Sequence, residues 1–345
     1  MLSTLPLAAF EATMPTPSPS SSSSPSPPPL GRTAVRPAWQ TLPEPVRHAV
    51  AEQLPAPIAS VADQGGGFTP GIAAQLRLAD GTAVFVKAVP ATHPLAEVYR
   101  HEGHTAARLP LATPAPRLRW TATTGAWVVL VFDNVDGRHP DLTPGSADIS
   151  RVVNAVAAMS EALTPCPILD VEPSSTARGD WLHGWDLIAG QVPADLGAWE
   201  RRHLNDLIKA ETLWRAHANG STLVHGDIRP DNLLVTVDGT VAVVDWARAS
   251  RGASWQDVAD LVPHLIMAGH TPAAAESCLA ETPAWQKTGV EVLTSYAVAY
   301  AGYWTGMSRQ PAPEGVPHLR SYQRHAATAA IAWVRHRADA TSPVA

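Results

Sequence analysis

Between Ile58 and Val89 the chain runs through three short apolar stretches punctuated by turn residues, the pattern of a small antiparallel sheet. Ile58 to Asp63 leads into Gln64-Gly65-Gly66-Gly67, Ile72 to Leu78 follows, and Asp80-Gly81 turns the chain into Thr82 to Val89. Asp-Gly between apolar runs is a strong hairpin signal, because both residues tolerate the positive φ of a tight turn. A helix is predicted from about Pro94 to Leu109 and another strand over Trp127 to Phe132. This part of the chain therefore reads as mostly sheet with one helix.

After Asn134 the period changes. Ile149, Val152, Val153, Val156, Met159 and Leu163 recur at helical spacing. So do Leu204, Leu207, Ile208 and Glu211, in a helix expected to end near Asn219-Gly220. A short hairpin follows, Leu233 to Val237 and Thr240 to Val244 around Asp238-Gly239, and the remainder to about Arg337 reads as helices. The outline is an α+β protein of two lobes: a small sheet-rich lobe over 43–133 and a larger helical lobe over 134–338, with a tail at 339–345.

Composition adds a leader. Pro15 to Pro29 hold seven prolines, seven serines and one threonine, too little apolar surface to offset the entropy of ordering. Residues 1–42 are thus expected to be disordered, with order beginning near Pro43. At 345 residues, 45% hydrophobic, the chain can bury a sizeable core. A formal net charge of -6 argues against nucleic acid as a partner, since phosphate backbones want a basic face. The longest apolar run, Ala126 to Phe132, is too short to span a bilayer, and the amino terminus lacks the basic region of a secretory signal. The expectation is a soluble cytoplasmic protein with no membrane or protein partner implied. Cys166 and Cys278 form neither a disulfide framework nor a metal motif.

The strongest chemical signal is Val224-His225-Gly226-Asp227-Ile228-Arg229-Pro230-Asp231-Asn232-Leu233-Leu234. It sets a carboxylate and a carboxamide five residues apart in an irregular segment, where functional groups concentrate. Eighteen residues after Asp227, the run Val241-Ala242-Val243-Val244 closes on Asp245, a carboxylate that is costly at the end of an apolar strand unless a cation or donors meet it.

With these residues the chain resembles the aminoglycoside phosphotransferase family, relatives of the protein kinases. The resemblance implies a bilobal protein-kinase-like fold, with Asp227 as the base that takes the acceptor's proton. It implies that Asn232 and Asp245 hold Mg²⁺ against the phosphates of ATP, and hard oxygen ligands suit that ion. Nothing in the sequence separates ATP from GTP. Arg229 either contacts the transferred phosphate or is an ordinary loop arginine. His225 is expected to pack beneath the loop, and Asp257 to brace it.

The sheet lobe supplies a lysine. Lys87 lies within Val84-Phe85-Val86-Lys87-Ala88-Val89, where the plain alternative is an edge residue with its ammonium in water. The resemblance gives it the α- and β-phosphates. Its partner is expected on the following helix. Counting about 100° per residue from Leu95, Glu102 falls about 20° from the apolar stripe and Glu97 about 160° away, so Glu102 is the choice. Gly66 and Gly67 sit where a phosphate-covering loop belongs, although Gly65-Gly66-Gly67-Phe68-Thr69-Pro70-Gly71 departs from G-x-G-x-x-G and also fits a plain turn. By resemblance, the backbone from Val131 to Asp133 meets the purine.

Eleven residues separate Asp245 from Asp257, with no Ala-Pro-Glu, so there is no room for a peptide-docking segment and a small-molecule acceptor is expected. Asp180, Asp186, Asp195, Glu200 and Asp206 offer a negative cleft for a polycation such as an aminoglycoside, or else a solvated helix face. Trp181, Trp185, Trp199 and Trp214 either line that cleft or pack the core. The expected function is an ATP-dependent phosphotransferase acting on a hydroxyl of a small molecule. The alternatives are a nucleotide-binding protein without efficient catalysis and an atypical protein kinase. His101-Glu102-Gly103-His104 lacks the spacing of a zinc helix, and no phosphate-loop NTPase motif is present.

Overall fold

A computed structural model describes residues 33–341 of the chain. Its first lobe is a five-stranded antiparallel sheet in the order β1-β2-β3-β5-β4. The strands are β1 (Ile58–Asp63), β2 (Ile72–Leu78), β3 (Ala83–Pro90), β4 (Leu118–Thr124) and β5 (Trp127–Asp133). The Asp80-Gly81 turn forms as predicted: Gly81 takes φ +87° and the Asp80 carboxylate accepts from the Thr82 amide at 2.9 Å. Helices cover both faces. Helix α1 (Glu44–Ala51) sets Val46 and Val50 against Ile72, Leu76 and Val131, while α2 (Ala96–Ala106) sets Tyr99 against Val89 and Leu130. Two-sided burial explains why β5 reads as a continuous apolar run rather than an alternating one.

Two elements of this lobe went unpredicted. Strand β4 is an edge strand whose alternate residues are exposed, so Thr121, Thr123 and Thr124 give it little hydrophobic signal. Helix α1 is only eight residues long, with a proline in its first turn.

The second lobe is helical around one continuous core. It comprises β6 (Gly137–Arg138), α3 (Asp148–Ala162), the short α4 (Ser174–Ala177) and α5 (Gly184–Gly190), and α6 (Ala198–Ala210). Then come β7 (Thr222–Val224), β8 (Leu233–Thr236), β9 (Val241–Val243), β10 (Ser250–Gly252) and α7 (Trp255–Met267). The chain closes with α8 (Pro272–Ser277), α9 (Pro283–Gln286), α10 (Val290–Met307) and α11 (Leu319–Thr341). Helix α6 stops at Ala210 rather than near Asn219-Gly220, and a 3₁₀ turn over Leu213–His217 covers the difference. Helix α11 runs past 338 into the expected tail. Among the described residues no helix is long and apolar enough to cross a membrane. Cys166 and Cys278 are free thiols.

The expected leader needs correction where it can be seen. Residues 1–32 lie outside the described residues, but Thr33 to Leu42, which the expected leader includes, are ordered against the body of the protein. Residues 33–39 form a strap beside the glycine-rich loop. The Ala34 amide donates to the Gly65 carbonyl at 2.9 Å, Thr33 Oγ1 to the Gly67 carbonyl at 2.6 Å, and the Trp39 amide to Asp63 Oδ1 at 2.7 Å. The Val35 amide donates across to Gly315 of the helical lobe at 2.7 Å, and Trp39 and Leu42 enter the sheet core. The composition of 15–29 says nothing about this stretch, because its partners lie 24 residues or more away in sequence. A chain beginning at Pro37 is therefore expected to melt several degrees below one beginning at Thr33, since each lost hydrogen bond contributes about 1 kcal/mol. Equal melting temperatures of the two truncations would show that the strap adds nothing to stability.

Candidate active site

The irregular segment after β7 is built around Asp257 of α7. Its two carboxylate oxygens accept the amides of His225 at 2.8 Å and Gly226 at 2.9 Å. Gly226 takes φ +80°, and a Cβ there would sit 2.4 Å from the Arg248 carbonyl, so only glycine fits. His225 is fully buried, stacked edge-on against Trp246. Its Nδ1 accepts the Asp227 amide at 3.2 Å, so Nε2 carries the hydrogen and donates to the Val244 carbonyl at 3.0 Å. The histidine thus ties the loop to β9 from below.

Asn232 Nδ2 donates to the Asp227 carbonyl at 2.8 Å and to Asp227 Oδ2 at 3.0 Å. This fixes the Asp227 carboxylate, which is 36% exposed, and leaves Asn232 Oδ1 uncommitted by any of these bonds. Asp245 follows β9 at φ +66°, a left-handed conformation that costs a non-glycine residue energy and that clusters at functional sites.

Lys87 reaches from β3 to Glu102 Oε1 at 2.6 Å and to Asp245 Oδ1 at 3.4 Å. Glu97 points away and pairs with Arg100 on the surface, so the helical phase picks the right carboxylate. Burial works against the Lys87 ammonium, but Asp245 and Glu102 outweigh it and raise its pKa. Burial also pushes the Glu102 carboxyl up, to about 7, against the pull of Lys87. For Asp245 burial is again opposed, and here Lys87 and Arg229 win, holding its carboxyl below the usual range. His101 and His104 turn elsewhere, to the Ala249 carbonyl and to Asp170.

Lys87, Glu102, Asn232 and Asp245 line a cleft of about 400 Å³ between the lobes, and Asp227 is joined to it through Asn232. Gly66 and Gly67 roof it, Lys87, Glu102 and Asp245 form its back, and Asn232 lies on its floor. Phe132, Asp133 and the following residues to Gly137 line the hinge side. Val131 does not reach it: the residue is fully buried in the sheet core, paired with Val86 on β3 and Trp120 on β4. The cleft-lining stretch therefore begins at Phe132, one residue later than the stretch expected to meet the purine. The Asp133 carboxylate is taken by Arg119, on the exposed side.

Arg229 is the second correction. Its side chain is not open to the cleft but shut under two rings, Phe68 of the glycine-rich loop at 4.8 Å and Tyr322 of α11 at 5.8 Å. A buried cation needs counter-charges, and Asp231 at 3.0 Å and Asp227 at 3.4 Å supply them. The guanidinium thus organises the loop and links it to the tip of the roof.

The five acidic residues do not build one negative face. Asp195 pairs with Arg309, Glu200 with Arg335 and Asp206 with Lys209, while Asp180 and Asp186 are exposed to solvent. Trp185 and Trp214 are fully buried core residues, whereas Trp181 stacks on Tyr303 at 4.7 Å and Trp199 on His203 at 4.5 Å. No sequence signal marks Arg36, whose guanidinium lines the cleft from the strap. Nor does any mark Tyr322, which stacks on Phe68 at 4.8 Å. Neither sits in a periodic pattern or near a motif.

Residues 74–289, more than half of the chain, match the sequence profile of APH, the phosphotransferase enzyme family. No curated protein sequence matches. The fold resembles solved structures of low identity. One is a thermostable mutant of aminoglycoside phosphotransferase APH(4)-Ia in ternary complex with AMP-PNP and hygromycin B (TM-score 0.57, 13% identity, 88% of this chain and 100% of that one). Others are choline kinase LicA from Streptococcus pneumoniae (0.57, 14%, 83% and 97%) and a putative fructosamine-3-kinase from Thermobifida fusca (0.50, 20%, 83% and 98%). At such identities the likeness establishes a shared kinase-like architecture.

Proposed function

The chain belongs to the phosphotransferase enzyme family, and from that premise we propose that it moves the γ-phosphoryl group of ATP to a hydroxyl group of a small molecule. The observation that carries this reading is the convergence on one cleft of Lys87 with Glu102, Asp245 beside Lys87, and Asn232 clamped to Asp227. The ternary complex of a relative in fold with AMP-PNP and hygromycin B supports a nucleotide and a small acceptor bound together.

In this reading Lys87, held charged by two carboxylates, binds the α- and β-phosphates, and the loop at Gly66 and Gly67 covers them. Asp133 and its neighbours border the base. Asn232 Oδ1 and the Asp245 carboxylate are hard oxygen donors on the cleft wall and fit Mg²⁺. When bound, that ion neutralises the phosphates and orients them. Asp227 accepts the acceptor's proton as its oxygen attacks the γ-phosphorus. The new O–P bond forms as the bond to the β,γ-bridging oxygen breaks, ADP leaves, and Asp227 returns the proton to water.

A small acceptor agrees with the interval after Asp245. It is used up by a 3₁₀ turn over Trp246–Arg248, by β10 paired to β7, and by the start of α7, which leaves no platform for a peptide. The scattered, largely paired acidic residues remove the concentrated negative field that would single out a polycation.

Two substitutions test the division of labour. Asp245→Ala should weaken nucleotide binding mainly when magnesium is present, while Lys87→Ala should weaken it with magnesium and with chelator alike. Removing a metal ligand affects only metal-bridged phosphates, whereas the lysine acts on them directly. Calorimetric titration of both variants under both conditions separates the roles, and identical behaviour would mean that one is misassigned.

A further inference from the structure

Arg178 is buried and Lys87 and Arg229 are half-buried, and each of these cations has a carboxylate at ion-pair distance: Asp260, Glu102 and Asp231. Arg36 is different. It is half-buried in the wall of the nucleotide cleft, and among the described residues no carboxylate lies at ion-pair distance from it. Its partners are uncharged. Nε and Nη2 donate to the Gly66 carbonyl at 3.1 and 2.6 Å, and Nη1 donates to the Gly71 carbonyl at 2.8 Å and to Thr69 Oγ1 at 3.1 Å. Its charge stands at the wall of the cleft with only neutral acceptors around it, and an anion arriving there would gain a charge partner.

The position says which anion. Gly66 and Gly71 are the two ends of the loop that roofs the cleft, and Lys87 and Asp245 line the same cavity. Burial lowers the Arg36 pKa, against the opposing effects of Tyr99 and of the Asp245 charge. A planar guanidinium at such a place suits phosphate oxygens. We propose that Arg36 is a second cation of the nucleotide-phosphate site, delivered by the strap, and that a β- or γ-phosphate oxygen supplies the counter-charge it lacks. The strap thereby couples the shape of the roof to the charge beneath it. Thr33 and Ala34 tie it to Gly67 and Gly65, and Val35 ties it to Gly315 of the other lobe.

This inference rests on the nucleotide use proposed above, and the test separates the two. Adenosine, AMP, ADP and AMP-PNP are titrated with magnesium into the wild type, Arg36→Gln and Arg36→Lys. Arg36→Gln should lose about tenfold or more in affinity for ADP and AMP-PNP, as expected for a charge-assisted hydrogen bond, and within about twofold for adenosine and AMP. Arg36→Lys, which keeps the charge but not the fork across the loop, should recover most of that loss. Equal losses in both variants, or one loss across all four compounds, would overturn the proposal and leave Arg36 as a brace of the loop. Unchanged binding in Arg36→Gln would overturn it too. A wild type that binds none of the four would instead sink the proposed function. Should Arg36→Gln not fold, the Arg36 Nε–H resonance of the wild type serves: ADP and AMP-PNP should shift it and adenosine should not, and equal shifts with all of them would refute the inference.

Discussion

Asp227→Asn is expected to lower turnover by at least about a hundredfold while leaving melting temperature and nucleotide affinity near those of the wild type. A positioned general base contributes on that order, and asparagine keeps the size of the side chain while losing the ability to take a proton. The surroundings should tolerate the change. Asn232 Nδ2 holds the main-chain carbonyl of residue 227 as well as the side-chain oxygen, so half of the clamp survives. Arg229 keeps Asp231 as its nearer counter-charge. The loop beneath is fixed by Asp257 and His225, neither of which uses the Asp227 carboxylate. Steady-state nucleotide consumption with an accepted hydroxyl compound, beside thermal melts and nucleotide titration, checks all three expectations. Turnover close to wild type would remove Asp227 from the chemistry.

The second large effect concerns stability. Arg178 and Asp260 are both nearly fully buried in the helical lobe, joined by two hydrogen bonds. Tyr296 and Tyr300 each donate a hydroxyl to Asp260 Oδ1 at 2.8 Å. Asp260→Ala removes every one of these acceptors and leaves the Arg178 charge buried without compensation. Such a loss costs about 3–5 kcal/mol, or a fall in melting temperature on the order of ten degrees. Replacing both charges, Arg178→Met with Asp260→Leu, should recover at least half of the loss, because no buried charge then remains, although the two tyrosines still lack an acceptor. A single variant that melts within about two degrees of the wild type would show that water reaches Arg178. Because α7 also carries Asp257, the brace of the catalytic loop, the same variant should lose activity at lower temperature than the wild type.

Much of the site is written locally in the chain. The Asp80-Gly81 turn, the alternation of β8 and β9 around Asp238-Gly239, and the irregular stretch from His225 to Asn232 each depend on residues within a few positions of one another. Backbone preferences and hydrophobic period act over that range, so they can be read without a structure. Helical phase reaches one step further: it placed Glu102 rather than Glu97 on the buried face of α2, where Lys87 meets it at 2.6 Å. A lysine inside an apolar strand and an acid on an apolar stripe each need a counter-charge, and the two needs answer each other.

What tertiary structure alone decided has no such local signature. Arg36 touches Gly66 and Gly71 across 30 and 35 residues, and its stretch of sequence adjoins a composition that points to disorder. Arg229 reads in sequence as either a phosphate contact or an ordinary loop arginine, and the fold sets Phe68 and Tyr322 over it and Asp231 beside it. Val131 sits in the same apolar run as Phe132, and only the register with β3 and β4 turns one into the core and leaves the other at the cleft. The acidic residues of 180–206 looked like one field and were dispersed by pairing with Arg309, Arg335 and Lys209, two of them more than a hundred positions on. In most of these cases the deciding energy is that of a side chain meeting a partner from a distant segment. That energy exists only once the backbone is folded, so the chain determines it without displaying it in any short window of sequence.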